Sequence, residues 1–259
     1  MSRKIDLNSD VGESFGTYKL GLDEEVIPLI TSSNIACGWH AGDPGVMRRT
    51  IALSKRHGVA PGAHPGFPDL LGFGRRNMDA TLEEIEDYVT YQIGALSAFA
   101  SQQGVSLQHV KPHGGLYNMA AKDLRIVEAV VKVISRLNRD LLLVTLAGPH
   151  RKEIEEIGSR HGVRIAFEFF ADRGYNADGT LVSRREPGAV IHDNEVAAER
   201  VLKMVREGKV ISRDGAEIVL SADTICVHGD NPSAVSLTRT IRQALLQAGI
   251  TVAPMRTVL

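Results

Sequence analysis

The sequence predicts an α/β fold in which residues 1–259 form a single-domain, seven-stranded parallel β/α barrel. Three observations predict it. Seven short strand-like runs alternate with helix-like segments, the pattern of βα units around a parallel sheet. The 259 residues contain no Pro/Ser/Gly-rich linker, long charge run or low-complexity tract where a domain boundary would fall. Polar side chains gather at the C-terminal ends of the runs, where barrel active sites lie. An open doubly wound sheet is the alternative, because both faces of its strands read similarly.

The runs, in order, are KIDLNSD, SNIACG, VAPGAHP, QHVKPHG, DLLLVTLAG, RIAFEFFAD and DTICVHGD. In the first, Asp6, Asn8 and Asp10 share one side of an extended chain, and Leu7, Ser9 and Val11 share the other. Gly12 then turns the chain and brings Glu13 close. Between the runs, helix ends are legible. Thr81 with Glu84 forms a capping box, Leu82, Ile85, Val89, Ile93, Leu96 and Ala100 form an apolar stripe, and Gly104 ends the helix. Asp43-Pro44 and Asn231-Pro232 each place an N-cap before a proline at the first helical position. Gly58 and Gly162 follow helix C-termini in KRHGV and SRHGV. TVAPM reads as a short eighth strand with no helix after it. Residues 172–222 break the rhythm, with an irregular stretch, a helix around 193–207 and a hairpin turning at Asp214-Gly215. This insertion is the expected lid or partner contact.

Composition narrows the class of protein. Hydrophobic residues make up 43% of the chain and charged residues 24%, with a net charge of −1, which is globular composition without a nucleic-acid or membrane-surface signature. Two distant cysteines, Cys37 and Cys226, argue against a disulfide framework and for a reducing compartment. Both read as buried small hydrophobes. MSRKIDLNSD lacks an apolar signal-peptide core, and no apolar run approaches spanning length, so a cytoplasmic location is expected.

The strand ends carry the chemistry. His40 follows the second run, His64 ends the third, Lys111 and His113 share a face of the fourth, and His228 and Asp230 share a face of the seventh. Glu168 and Asp172 share a face of the sixth, beside Arg173. In a barrel all of these converge on the mouth, opposite Asp10. The candidate catalytic residues are therefore Asp10, His40, His64, Lys111, His113, Arg173 and His228, with imidazoles and carboxylates for proton transfer and cations to stabilise developing negative charge. Asn8, Glu13, Gly42, Arg75, Gly114, Gly229 and Asp230 are the candidate substrate-binding residues; the glycines leave room for backbone N–H groups to reach an anion. Asp10, His40, His64 and His113 are a candidate ligand set for a divalent metal, since imidazole and carboxylate suit zinc or manganese, although their spacing cannot test it. His57 and His161 sit at helix ends and complement the dipole, and His109 lies at the inner end of its strand in a structural position. Trp39 is either a pocket wall or a packing residue. Phosphate-loop, dinucleotide-binding, nucleophile-elbow and His-Glu-x-x-His patterns are all missing from the sequence.

Taken together, DLNSDVGE, SNIACGWHAGDP, GAHPGFPDLLGFGRR, VKPHGGLYN, FFADRGYNADGTLVSR and CVHGDNPSAV resemble the LamB/YcsF family, in order from residue 6 to about 235. Small departures are Ser9, Val11 and Trp39, where the family often has Cys, Leu and Phe. The resemblance implies a barrel similar to those of glycoside hydrolases and deacetylases. It also implies opening of the 5-oxoproline (pyroglutamate) lactam to L-glutamate, with ATP as co-substrate and two further subunits, B and C, as partners. Two other readings remain open: a metal-dependent amide hydrolase or deacetylase, and a non-catalytic subunit that binds the lactam or its partners.

Overall fold

A computed structural model describes residues 3–183, 186–227 and 232–259. The chain opens with β1 (Lys4–Val11), a single helical turn α1 (Asp23–Val26), β2 (Ser32–Ala36) and α2 (Pro44–Arg56). It continues through β3 (Ala60–His64), α3 (Leu82–Gln102), β4 (His109–Val110), α4 (Gly114–Ala120) and α5 (Leu124–Leu137). β5 (Leu142–Leu146), α6 (Arg151–His161) and β6 (Ile165–Phe170) follow. The expected insertion holds α7 (Asn194–Glu207) and an antiparallel hairpin of β7 (Lys209–Ile211) and β8 (Glu217–Val219). The chain ends with β9 (Thr224–Cys226), α8 (Pro232–Gln247), β10 (Thr251–Val252) and α9 (Met255–Val258).

β1 to β6 and β9 run parallel in that order, and β9 pairs back to β1, so seven strands close a barrel. The expected eighth strand exists as β10, which pairs with Lys4 and Ile5 of β1 outside the closed ring. Contrary to expectation a helix does follow it, the single turn α9, whose Met255 is fully buried.

The helix signals act as their chemistry dictates. Asp43 caps α2 by accepting from Val46 N, and Thr81 and Glu84 complete a reciprocal capping box on α3. Gly58, Gly104 and Gly162 take positive φ just beyond helix ends. Of the α3 stripe, Ile85, Val89, Ile93, Leu96 and Ala100 are buried, but Leu82 stays 40% exposed on the first turn. Asn231 lies outside the described residues. Among the described residues no helix is long and apolar enough to cross a membrane.

Two differently composed interiors result. The outward faces of the strands (Leu7, Val11, Ile35, Val110, Phe169 and Ile225) join the main apolar core beneath the helices. The inward face is divided. Leu142, Val144, Ala166 and Met255 form a small apolar cluster of their own. The opposite wall is polar, with Asp6, Asn8, Ser32, Asn34, His109 and Thr224 all fully buried. Strand register aligns Asp10 with Asn34, Asn34 with Gly62, and Gly62 with His109. Gly62 is required there, because a Cβ at that position would lie 2.2 Å from His109 Nε2.

At the base of this wall, Asp6 accepts hydrogen bonds from the hydroxyls of Thr31, Ser32 and Thr224. Burial outweighs these bonds and raises its pKa to about 6 from 3.8. The folded state therefore holds this proton more tightly than the unfolded chain, and stability is lost as pH rises between those two values. Measured by urea denaturation, the stability of the protein relative to Asp6→Asn should fall by about 2 kcal/mol between pH 4 and pH 7.

Candidate active site

Lys111 stands at the centre of the polar wall, just beyond β4, and its side chain is 2% exposed. Its Nζ lies 2.9 Å from Asp10 Oδ1 and 2.9 Å from Glu168 Oε1, and it donates to Cys226 Sγ at 3.3 Å. Burial alone would lower its pKa, but Asp10, Cys226 and Glu168 together outweigh burial and hold it well above the ordinary lysine value. Tyr117 on α4 donates its hydroxyl to the other oxygen of Glu168 at 3.0 Å. Burial, then Glu168, pushes that phenol well above its usual range, so it remains a donor.

Asp10 is oriented from two sides. Its Oδ1 accepts from Lys111 and from Asn34 Nδ2 at 2.8 Å. Asn34 also donates to Asn8 Oδ1 at 2.7 Å, and its own Oδ1 lies 2.7 Å from His109 Nε2. The amide oxygen can only accept, so His109 donates from Nε2. Burial, reinforced by Lys111, lowers its pKa to about 3, so the imidazole is neutral. With Oδ1 committed, Asp10 turns Oδ2 towards His64 Nε2 at 3.3 Å.

The histidines have readable tautomers. His64 Nδ1 lies 2.7 Å from the carbonyl oxygen of Lys111, and His113 Nε2 lies 2.8 Å from that of Phe73. Carbonyls only accept, so both of these nitrogens carry hydrogen. The remaining nitrogens, His64 Nε2 and His113 Nδ1, face each other at 2.9 Å, where a neutral ring would present its lone pair. His40 stacks on His113 with centroids 3.7 Å apart, and neither of its buried nitrogens has a hydrogen-bond partner among the described residues. Burial first, then the neighbouring imidazoles, lowers the pKa of His40 and His113 well below the usual value. Glu13 Oε1 lies 3.8 Å from His40 Nε2 and 3.9 Å from His113 Nδ1. Gly12, at φ 70°, makes the turn that places it there, and its N–H donates to Asp23. Glu13, His40, His64 and His113 are all buried, with donor atoms within 4.8 Å of one another, and this group could hold a metal ion.

Of the sequence-predicted residues, Asp10, Glu13, His40, His64, Lys111 and His113 therefore converge. Asn8 does not reach the mouth; it lies one layer deeper, donating to Thr224 and accepting from Asn34. Gly42 N donates to the carbonyl of Ser14, and the position is glycine because a Cβ would meet the Ala36 and Gly12 carbonyls at 3.0 Å. Gly114 likewise makes room for the carbonyl of Gly74. Arg173 sends its guanidinium to the Ala189 and Val182 carbonyls, tying together the irregular part of the insertion. Arg75 stands exposed at the rim with its guanidinium 4.9 Å from the Phe73 ring, while Arg76 pairs with Asp69. Trp39 packs on Tyr88 and Tyr91 of α3. His228, Gly229 and Asp230 lie outside the described residues.

Asn34 and Tyr117 are absent from the predicted site, His109 is read there as structural, and Glu168 is placed at the mouth without a catalytic or binding role. Glu168 had a signal, a lone carboxylate in the apolar run RIAFEFF, as did Asn34 in SNIACG. Above the cluster a cavity of roughly 1080 Å³ extends from Asp10 and Glu13 to Arg75 on one side and to Arg173, Asn176 and Ser183 of the insertion on the other.

Fold and site define a β/α-barrel protein whose mouth gathers proton acceptors around one buried ammonium. The chain belongs to the LamB/YcsF family, which it matches over residues 5–259. It is 58% identical over 252 residues to the 5-oxoprolinase A subunit of Thermococcus onnurineus, covering 97% of this chain and 98% of that one. Among solved structures it resembles the lactam utilization protein of Thermus thermophilus, with a TM-score of 0.90, 47% identity and coverage of 96% and 99%. A peptidoglycan deacetylase of Bacillus subtilis shares the fold alone, with a TM-score of 0.50, 10% identity and coverage of 99% and 90%.

Removing the central ammonium should be costly. Lys111→Met would leave Asp10 and Glu168 without their shared cation, and denaturation at pH 7 should show a loss of about 3–5 kcal/mol. A loss below about 1 kcal/mol would show that the pairing is not what holds these carboxylates.

Proposed function

We propose that this protein opens the lactam ring of 5-oxoproline to L-glutamate as component A of an ATP-dependent 5-oxoprolinase, acting in the cytoplasm with subunits B and C. The convergence of Asp10 Oδ2, His64 Nε2 and His113 Nδ1 carries the reading. All three are proton acceptors, and they meet at the floor of the cavity. Similarity to relatives named as the 5-oxoprolinase A subunit, and to one named as a lactam utilization protein, supports the choice of substrate.

A five-membered lactam is a resonance-stabilised amide with little ring strain, so its uncoupled hydrolysis is unfavourable. ATP overcomes this by phosphorylating the amide oxygen, which makes the ring carbon imidate-like and electrophilic. Water then attacks that carbon and gives a proton to Asp10 or His64. The same pair returns it to the ring nitrogen as the C–N bond breaks, which leaves γ-glutamyl phosphate, and a second water then displaces the phosphate to give L-glutamate. Lys111 fixes Asp10 rather than touching substrate, since its ammonium is committed to two carboxylates. Arg75 at the rim suits the carboxylate of 5-oxoproline or the transferred phosphate. The cavity has the volume for such a ligand with space to spare, and the insertion that lines it suits contact with the partner subunits.

Glutamate release from 5-oxoproline by the purified chain, with and without ATP and subunits B and C, tests the reading. Turnover should require all of them, and Asp10→Asn should lower kcat at least about 100-fold while the protein stays folded. Full activity of folded Asp10→Asn in the complete complex would remove Asp10 from the reaction.

A further inference from the structure

We infer that Glu13, His40, His64 and His113 form a binding site for one divalent transition-metal ion, of the zinc or manganese class. The inference rests on the geometry of these side chains; such an ion would take up the lone pair of His64 Nε2, so that with it bound Asp10 is the proton acceptor of the proposed lactam reaction.

The facing nitrogens of His64 and His113 are the first observation. Each ring has its other nitrogen committed as a donor to a backbone carbonyl, His64 to Lys111 and His113 to Phe73. The two nitrogens left over face each other at 2.9 Å, a spacing that a cation bound by both would satisfy. A backbone carbonyl fixing the far nitrogen is also the usual way in which a metal-binding imidazole is oriented. A shared proton would account for these two nitrogens alone.

His40 is the second observation. Its side chain is fully buried, yet neither nitrogen has a hydrogen-bond partner among the described residues, and Nε2 is 3.8 Å from the Glu13 oxygen that also faces His113. A buried imidazole without partners is costly unless a ligand completes it. Donor atoms around an ion held at about 2.0–2.1 Å lie roughly 3.0–3.5 Å from one another. The spacings of 2.9, 3.8 and 3.9 Å bracket that range. The His64 and His113 rings stand at 89°, so each can aim a lone pair at one point. His40 lies parallel to His113, with its Nε2 3.8 Å from the Glu13 oxygen.

Ligand chemistry is the third observation. Three imidazoles and one carboxylate suit zinc or manganese, and disfavour magnesium and calcium, which prefer all-oxygen shells. Such an ion would supply Lewis-acid polarisation of a substrate oxygen beside Asp10.

The test is metal content and thermal stability of the full-length protein, neither of which needs substrate. Protein purified without chelator should carry about one zinc or manganese ion per chain by mass spectrometry. After chelator treatment, Zn2+ or Mn2+ should raise the Tm, and Mg2+ should not. His64→Ala and His113→Ala should each weaken metal binding by more than the roughly 10–100-fold typical of an outer-shell change. The control His150→Ala, at an exposed imidazole, should leave it unchanged. If an alanine variant fails to fold, His64→Gln with a native circular-dichroism spectrum takes its place. No stoichiometric metal and no Tm shift with either ion would overturn the inference. So would undiminished binding by folded His64 and His113 variants.

Discussion

The ammonium of Lys111 is the charge around which the inside of the barrel is arranged. A lysine held at 2% exposure persists only if its charge is matched nearby, and Asp10 and Glu168 match it from β1 and β6. Those two carboxylates in turn occupy the surrounding donors. Asn34 shares Asp10 with the lysine, His109 fixes Asn34, and Tyr117 takes the second oxygen of Glu168. Each of these bonds has only one chemically allowed direction. The network therefore decides which oxygen of Asp10 faces His64, and a change at its centre must be felt at the mouth.

The division of the barrel interior gives this arrangement its place. A small apolar cluster of Leu142, Val144, Ala166 and Met255 seals one wall, and buried polar groups fill the other. Gly62 holds open the space that the His109 ring occupies, so even a residue without a side chain belongs to the network. Above it, His64, His113 and Glu13 line the floor of a cavity far larger than a single lactam ring.

Much of this was legible in the sequence, for physical reasons. Period-two alternation put Asp6, Asn8 and Asp10 on one face, and parallel topology sent the ends of three other strands, with His40, His64 and His113, to the same mouth. Alternation reports which face a residue occupies but not how high it sits or what it meets across the sheet. Asn8 was therefore placed at the mouth, although it lies a layer below. The pairing of Asn34 with His109 depends on strand register, which no local pattern reveals. Arg173 shows another limit: its charge suggested a substrate, while its guanidinium meets backbone carbonyls contributed by a loop of irregular sequence.

The claim that the mouth gathers inward lone pairs is tested most directly by the protonation of individual ring nitrogens. Long-range 1H–15N correlation spectra of the histidine side chains report it, whether or not a metal is bound. The account predicts hydrogen on Nδ1 of His64 and on Nε2 of both His109 and His113. Hydrogen on Nε2 of His64 or on Nδ1 of His113 would contradict it, because those nitrogens would then donate into the cluster rather than accept from it.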